Sequence, residues 1–321
     1  MLGRLVNDWL RVQPSEYPWG DTLPYFRNAD WRVCNLECVI SNRGHELPQK
    51  IFHFRTEPKN TSVLMRARID AVSLANNHML DYGKEALSDT LQFLEGAGIH
   101  YAGAGMNQIE ARKPIVTALG ELSLGMIAFT DNEPGWEASG DEAGTYYLPV
   151  NLQDPRAKEL IDLVKETKNR VDFLIVSAHW GGNWGYTPPP EQARLAKALI
   201  DAGADVIFGH SPHVFRGIEV HHGRPILYSA GDFIDDYAVD DIERNDYSFL
   251  FILELEGAVP SRLQLIPTII SNFQARVANS AEAEKIAGKM KALCLQRGTA
   301  ADWNDRERAL NIELERVEAG V

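Results

Sequence analysis

Phe173-Leu174-Ile175-Val176-Ser177-Ala178-His179 is a short, β-rich apolar run that stops at a histidine. Four other stretches follow the same plan: Val33-Cys34-Asn35-Leu36-Glu37, Ala71-Val72-Ser73-Leu74-Ala75-Asn76-Asn77-His78, Val206-Ile207-Phe208-Gly209-His210-Ser211-Pro212-His213 and Ile226-Leu227-Tyr228-Ser229-Ala230-Gly231-Asp232. Each ends in a residue type that binds metals. Strands that stop at Asn, Glu, Asp or His are how an α/β enzyme delivers ligands from strand ends into one crevice.

The segments between these runs read as helices. Leu87, Leu91 and Leu94 share one face of a helix over 84–96 that closes at Gly96 and Gly98, and further helices are expected over 60–68, 155–168 and 190–202. Strands are expected at 114–118 and 122–130, then a long loop over 131–149. Strands alternating with helices at this spacing give an α/β fold with several strands buried on both faces. Beyond 246 the pattern changes to long strands, 247–256 and 261–270, and the charged tail from about 280 is expected to be helical and to pack outside. The expected division is a main domain over 1–275 and a C-terminal helical extension over 276–321.

The composition narrows the partners. With 321 residues, 45% apolar and 24% charged, the chain is long enough for a substantial core. A net charge of −13 repels nucleic acid and anionic membrane surfaces on average, so neither is an expected partner. No stretch approaches the roughly 18 consecutive apolar residues of a membrane span, and the opening Met1-Leu2-Gly3-Arg4-Leu5 has no secretory-signal pattern. As written, the chain is expected in the cytoplasm. Composition sets no oligomeric state. Cys34, Cys38 and Cys294 are an odd set with no second pair for a zinc ribbon, and read as core residues in a reducing compartment.

Four of the nine histidines, His78, His179, His210 and His213, stand at strand ends. Imidazole with carboxylate and Asn oxygens suits divalent Mn, Fe or Zn. In Asn77-His78, the Asn oxygen can bind a metal while the adjacent His donates a proton to a leaving group. Asp81 either holds that imidazole or caps the next helix. His210 and His213 flank a turn stiffened by Pro212 that lets both rings reach one cavity; the plainer reading is two surface histidines. His221-His222 before Gly223 reads as a surface hairpin tip. Phe52, His53 and Phe54 read as a short edge strand, with Arg55 as a candidate contact for an anionic substrate.

In this order the motifs resemble the poly-gamma-glutamate capsule synthesis family, CapA, within the calcineurin-like metallophosphoesterase superfamily. The resemblance is carried by Asn35-Leu36-Glu37, Ala75-Asn76-Asn77-His78 with Asp81-Tyr82-Gly83, His179-Trp180-Gly181, Gly209-His210-Ser211-Pro212-His213 and Tyr228-Ser229-Ala230-Gly231-Asp232-Phe233, and it spans about residues 1 to 275. It implies a sandwich of two β-sheets flanked by helices, with two divalent metal ions at the strand ends. Glu37, Asn77, His179, His210 and His213 would be the ligands and His78 the general acid, supported by Asp81. The family also implies a strand ending in Gly-Asp ahead of the Met1-Leu2-Gly3-Arg4 stretch, and hence a start further upstream, with export or anchoring if such a segment carries a signal. Asp232 stands where Gly-Asn-Phe is commoner, and is read with Asp235 and Asp236 as a structural turn.

Two functions follow from the resemblance. The first is a metal-dependent hydrolase of phosphoester or related bonds, acting on a small or polymeric anionic substrate in capsule or poly-gamma-glutamate biosynthesis. The second is a non-catalytic factor that binds or helps export such a polymer, with Arg55 and Arg216 as local cations.

Overall fold

Every residue of Phe173–His179 is buried, and its alternate side chains serve two different layers. Leu174, Val176 and Ala178 face the helices Pro155–Lys168 and Pro190–Asp201, where they pack with Leu160, Val164, Leu195 and Leu199. Phe173 and Ile175 face the other way, into a cluster with Leu124, Met126, Val206, Phe249, Leu263 and Leu265. Ser177 and His179 share this second parity, so they belong to the inner face of the layer structure.

The computed structural model, which describes residues 1–48 and 50–314, sets this strand inside a six-stranded sheet. The spatial order is Ile218–His221, Arg224–Leu227, Val206–His210, Phe173–His179, Leu122–Thr130 and Ile115–Leu119. The four inner strands run parallel, and each edge strand closes an antiparallel hairpin. Helix Pro155–Lys168 begins where Asp154 accepts a hydrogen bond from the Arg156 N–H at 2.9 Å and Pro155 takes the first turn, where its missing donor costs nothing.

The second layer is not the single sheet that the sandwich expectation requires. It consists of a parallel sheet, Val33–Asn35, Ala71–Ser73 and His100–Ala102, and an antiparallel five-stranded sheet built on Tyr247–Glu256 and Val259–Ser271. Ala71 and Ala102 of the first piece and Phe249, Leu263 and Leu265 of the second join one apolar cluster with the six-stranded sheet. Between the pieces runs a largely apolar cavity of about 810 Å³, walled by Val33, Cys34, Phe173, Ile175, Phe249 and Phe251. On the outside, helix Gly83–Gly96 sends Leu87, Leu91 and Leu94 into a cluster with Val39, Ile40, Phe54 and Leu74.

The C-terminal segment corrects the expectation of a purely helical appendage. Helix Ser280–Leu295 forms and buries Ile286, Met290 and Cys294, but two strands follow it, Asp302–Asn304 and Ala309–Glu313. The last strand pairs with Val259–Ser271 at Leu263↔Ile312 and Leu265↔Leu310, so the tail completes the five-stranded sheet. The part of the expected extension over 315–321 lies outside the described residues. Cys38 and Cys294 are buried free thiols, and Cys34 is half-buried. Residues 52–54 form no strand; the pairing there is Val39–Ile40 with Arg55–Thr56. Among the described residues no helix is long and apolar enough to cross a membrane.

Gly209 lets the His210 strand lie against its neighbour. A Cβ there would stand 2.4 Å from the Leu227 carbonyl oxygen and 2.5 Å from that of Tyr228, both backbone atoms with no room to move. Gly209→Ala is expected to lower stability by roughly 1–3 kcal/mol, seen as a lower midpoint in denaturant unfolding; an unchanged midpoint would contradict this packing.

Candidate metal centre

Parallel register puts strand ends side by side. His179 pairs with His210 on one flank and with Thr130 on the other. The two imidazoles meet Nδ1 to Nδ1 at 2.8 Å. His210 Nε2 lies 2.8 Å from Ser177 Oγ, and His179 Nε2 lies 3.1 Å from Asn77 Oδ1. One proton order satisfies all three contacts: the Ser177 hydroxyl donates to His210 Nε2, His210 Nδ1–H to His179 Nδ1, and His179 Nε2–H to the Asn77 amide oxygen. Both rings are then neutral. Burial enforces this, pushing His210 down to about 3 and His179 well below the ordinary histidine value, His179 also through its proximity to His210.

Asn77 and His78 come from the turn after Ala71–Ser73. The wholly buried Asn76 fastens this turn: its Nδ2 donates to Asn35 Oδ1 and to the Leu36 carbonyl, both at 3.0 Å, and its Oδ1 accepts from the His78 N–H at 3.0 Å. His78 Nδ1 lies 2.6 Å from Asp81 Oδ2. Asp81 also accepts from the Phe54 N–H at 2.7 Å and from Lys50 Nζ at 2.7 Å, so this carboxylate is fixed from three sides. It does not cap helix Gly83–Gly96, whose N-cap is Tyr82. The His78 ring packs edge-on to Phe54 and turns Nε2 toward Glu37, 3.8 Å from Oε1. Burial lowers the His78 pKa against the opposing pull of Asp81.

Glu37 and His213 lie on the far side of His78. Burial raises the Glu37 pKa, and a charge on His213 would lower it. His213 Nδ1 lies 3.0 Å from Asp232 Oδ1, and its ring packs against Trp184 and Tyr237. It is buried, not one of a pair of surface histidines. The partly buried Asp232 and the buried Asp235 form an acid pair in which one buried oxygen of each lacks a hydrogen-bond donor. Burial pushes Asp232 up to about 7, and burial with the neighbouring charge of Asp232 pushes Asp235 well above the ordinary aspartate value. Glu37, His210 and Asp232 also line the polar end of the large cavity.

The donor set suits a divalent cation: neutral buried imidazoles, an amide oxygen, and carboxylates with an oxygen to spare. The expected ligands are nevertheless not drawn into one knot. Among the described residues, three or more His, Cys, Asp or Glu ligand atoms come within 4.8 Å of one another only at Asp201, His221 and His222, a group outside the expected set.

Arg55 stands apart from the histidines. Its guanidinium covers the Tyr82 ring at 4.0 Å and reaches the Arg43 carbonyl. Arg216 is buried and bound to the Gly185 and Trp184 carbonyls and to Gln192, so it offers no charge to a polymer. Sequence reasoning missed Lys50, for which the polar loop held no signal. It also missed Asp131 and Asn132, where the signal was present, since they directly follow the parallel strand Leu122–Thr130. Asp131 Oδ1 accepts from the Gly181 N–H at 2.9 Å, and burial pushes its carboxyl up to about 6.

In metal-stripped protein, the His210 ring is expected to stay neutral from about pH 7 down to about pH 5. Its Cε1–H resonance should therefore not move over that range; a midpoint near the ordinary 6.5 would contradict the buried ladder.

The sequence matches the family described as bacterial capsule synthesis protein PGA_cap over residues 1–237. A probable polyglutamine synthesis accessory protein of Mycobacterium tuberculosis is 33% identical over 306 residues, covering 92% of this chain and 79% of the relative. The capsule biosynthesis protein CapA of Bacillus anthracis is 27% identical over 318 residues, covering 98% of this chain and 75% of the relative. Among solved structures, a hypothetical protein from Thermus thermophilus aligns with a TM-score of 0.42 at 14% identity, over 79% of this chain and 88% of that one, a likeness too slight to bear on the argument. The chain belongs to the PGA_cap family of bacterial capsule synthesis proteins.

Proposed function

We propose that this chain is an accessory protein of capsule or polyglutamate synthesis whose strand-end centre is a metal-dependent hydrolase acting on a phosphoester or related bond of an anionic substrate. The observation that carries the reading is the pairing of two chemistries in one buried place. A neutral ladder, Ser177–His210–His179–Asn77, offers nitrogen and oxygen donors, and beside it His78 is held by Asp81 with Nε2 directed inward. Asn77, His179 and His210, with Glu37 and His213 at the margin, would hold one or two divalent ions such as Mn, Fe or Zn. A bound divalent ion supplies charge neutralisation of the scissile group and an activated water.

The protein's own part is proton handling. Asp81 accepts from His78 Nδ1–H, so protonation and deprotonation fall on Nε2, the atom free to give a proton to a leaving oxygen. Lys50, 2.7 Å from Asp81 Oδ1, holds that carboxylate in place beside the imidazole. Phe54 and the surrounding burial exclude water from the far face of the imidazole. The apolar walls of the large cavity would strip an anion of its hydration without replacement, which favours a substrate position at the polar end near Glu37, His210 and Asp232.

The dispersed ligand atoms favour a second reading, in which the chain binds or helps export an anionic polymer without turning it over. The two readings separate on one variant. His78→Ala is expected to reduce Mn-dependent hydrolysis of a generic phosphoester by roughly 10²–10⁴-fold, with an unchanged near-UV circular dichroism spectrum. Equal turnover in wild type and variant would remove His78 from the chemistry. No turnover in either, with poly-gamma-glutamate retained at low salt, would establish the binding reading.

Asp81→Asn tests the positioning role separately. It should lower kcat with little change in KM and move the acidic limb of the pH profile, because it alters the proton affinity of Nε2. A uniform loss with an unshifted profile would mean that Asp81 serves only the fold.

A further inference from the structure

We infer that Asp201, His221 and His222 form a second divalent-metal site, remote from the strand-end centre, that takes a borderline ion of the zinc class and ties the 218–227 hairpin to the end of a helix. The three ligand atoms lie within 4.8 Å of one another. His221 Nε2 is 2.8 Å from Asp201 Oδ1 and His222 Nε2 is 3.6 Å from the same oxygen, and the two rings stand 4.1 Å apart.

Adjacent residues on a strand point to opposite faces, so two consecutive histidines do not ordinarily share a ligand. Here they do, because the chain turns between them and the next strand. His221 ends Ile218–His221, while His222 has φ +51° and Gly223 φ +70°, a left-handed pair that swings the second ring back beside the first. His222 adopts this conformation without being glycine.

Asp201 is the last residue of helix Pro190–Asp201, where the terminal carbonyls carry partial negative charge. No basic residue occupies the last turn of that helix. The nearby cations are engaged elsewhere: Lys197 with Glu219 at 2.6 Å and Arg224 with Asp205 at 3.3 Å. Among the described residues Asp201 forms ion pairs only with the two imidazoles. Two nitrogens and a carboxylate oxygen at a negatively polarised helix end suit Zn²⁺, Co²⁺ or Ni²⁺, with water in the remaining positions.

The sheet register separates this site from the first. The strand Arg224–Leu227 runs parallel to Val206–His210 with Ile207 opposite Ile226, so the hairpin tip sits at the start of the strand whose far end bears His210. Five residues of strand put roughly 15 Å between the two ends.

The test is calorimetric titration of the full chain with Zn²⁺ after chelator treatment, comparing wild type with His222→Gln, the double variant His221→Gln/His222→Gln, and Asp201→Asn. The wild type is expected to bind one ion more than the double variant, and Asp201→Asn to weaken that ion at least about tenfold, while phosphoester turnover stays the same in all four. Equal zinc uptake by wild type and His222→Gln would overturn the site. An unaffected Asp201→Asn would reduce it to a histidine pair and overturn the three-ligand form. Because turnover and zinc stoichiometry are read separately, failure here leaves the strand-end centre untouched.

Discussion

The register between two parallel strands governs this molecule. Because Phe173–His179 pairs with Val206–His210 in step, their final histidines stand side by side, and because both strands are parallel to Leu122–Thr130 and Arg224–Leu227, four strand ends open on one edge. Gly209, pressed against the Leu227 and Tyr228 carbonyls, keeps the spacing, and the turn held by Asn76 brings Asn77 and His78 from the second layer to the same edge. A slip of one residue would send His179 and Ser177 to the helix side of the sheet, where Leu174 and Val176 pack.

Burial then decides protonation. Imidazoles that would exchange protons freely in water are held neutral at His179 and His210, while the carboxyls of Asp232 and Asp235 are held toward their protonated forms. Burial is the first cause of both shifts, and a divalent cation would suit both groups, since it ligates neutral imidazole and favours the ionised form of a carboxylate. His78 differs from the ladder histidines because it has its own counter-ion, Asp81, and that carboxylate has Lys50. On the proposed hydrolase reading, this local asymmetry makes His78 the proton carrier and the others the metal holders.

Much of this was legible in the residues. Continuous β-rich apolar runs and strand-end chemistry located the strands bearing His179 and His210, and the apolar spacing of Leu87, Leu91 and Leu94 located helix Gly83–Gly96. What escaped depended on partners distant in the chain. Ala309–Glu313 is a strand because Val259–Ser271 offers it an edge, whereas its local composition is mixed with helix formers. Lys50 acquires a role only when the loop before Phe54 folds over Asp81, and nothing periodic announces that. The His221-His222 pair read as surface, and the structure does leave it partly exposed; the neighbouring Asp201 emerges only from the helix-to-hairpin contact. The split second layer was invisible for the same reason, since strand patterns do not state which edges meet.

The central claim is that the strand-end donors hold a metal for hydrolysis. Anomalous diffraction at the manganese edge from crystals of the full chain grown with Mn²⁺ tests it most directly. The account predicts a peak within ligand distance of His179, His210 and Asn77, lost in a His179→Ala/His210→Ala variant. Full manganese occupancy elsewhere with none at this edge would contradict it, and would leave the ladder as a buried hydrogen-bond network that fastens the two layers together.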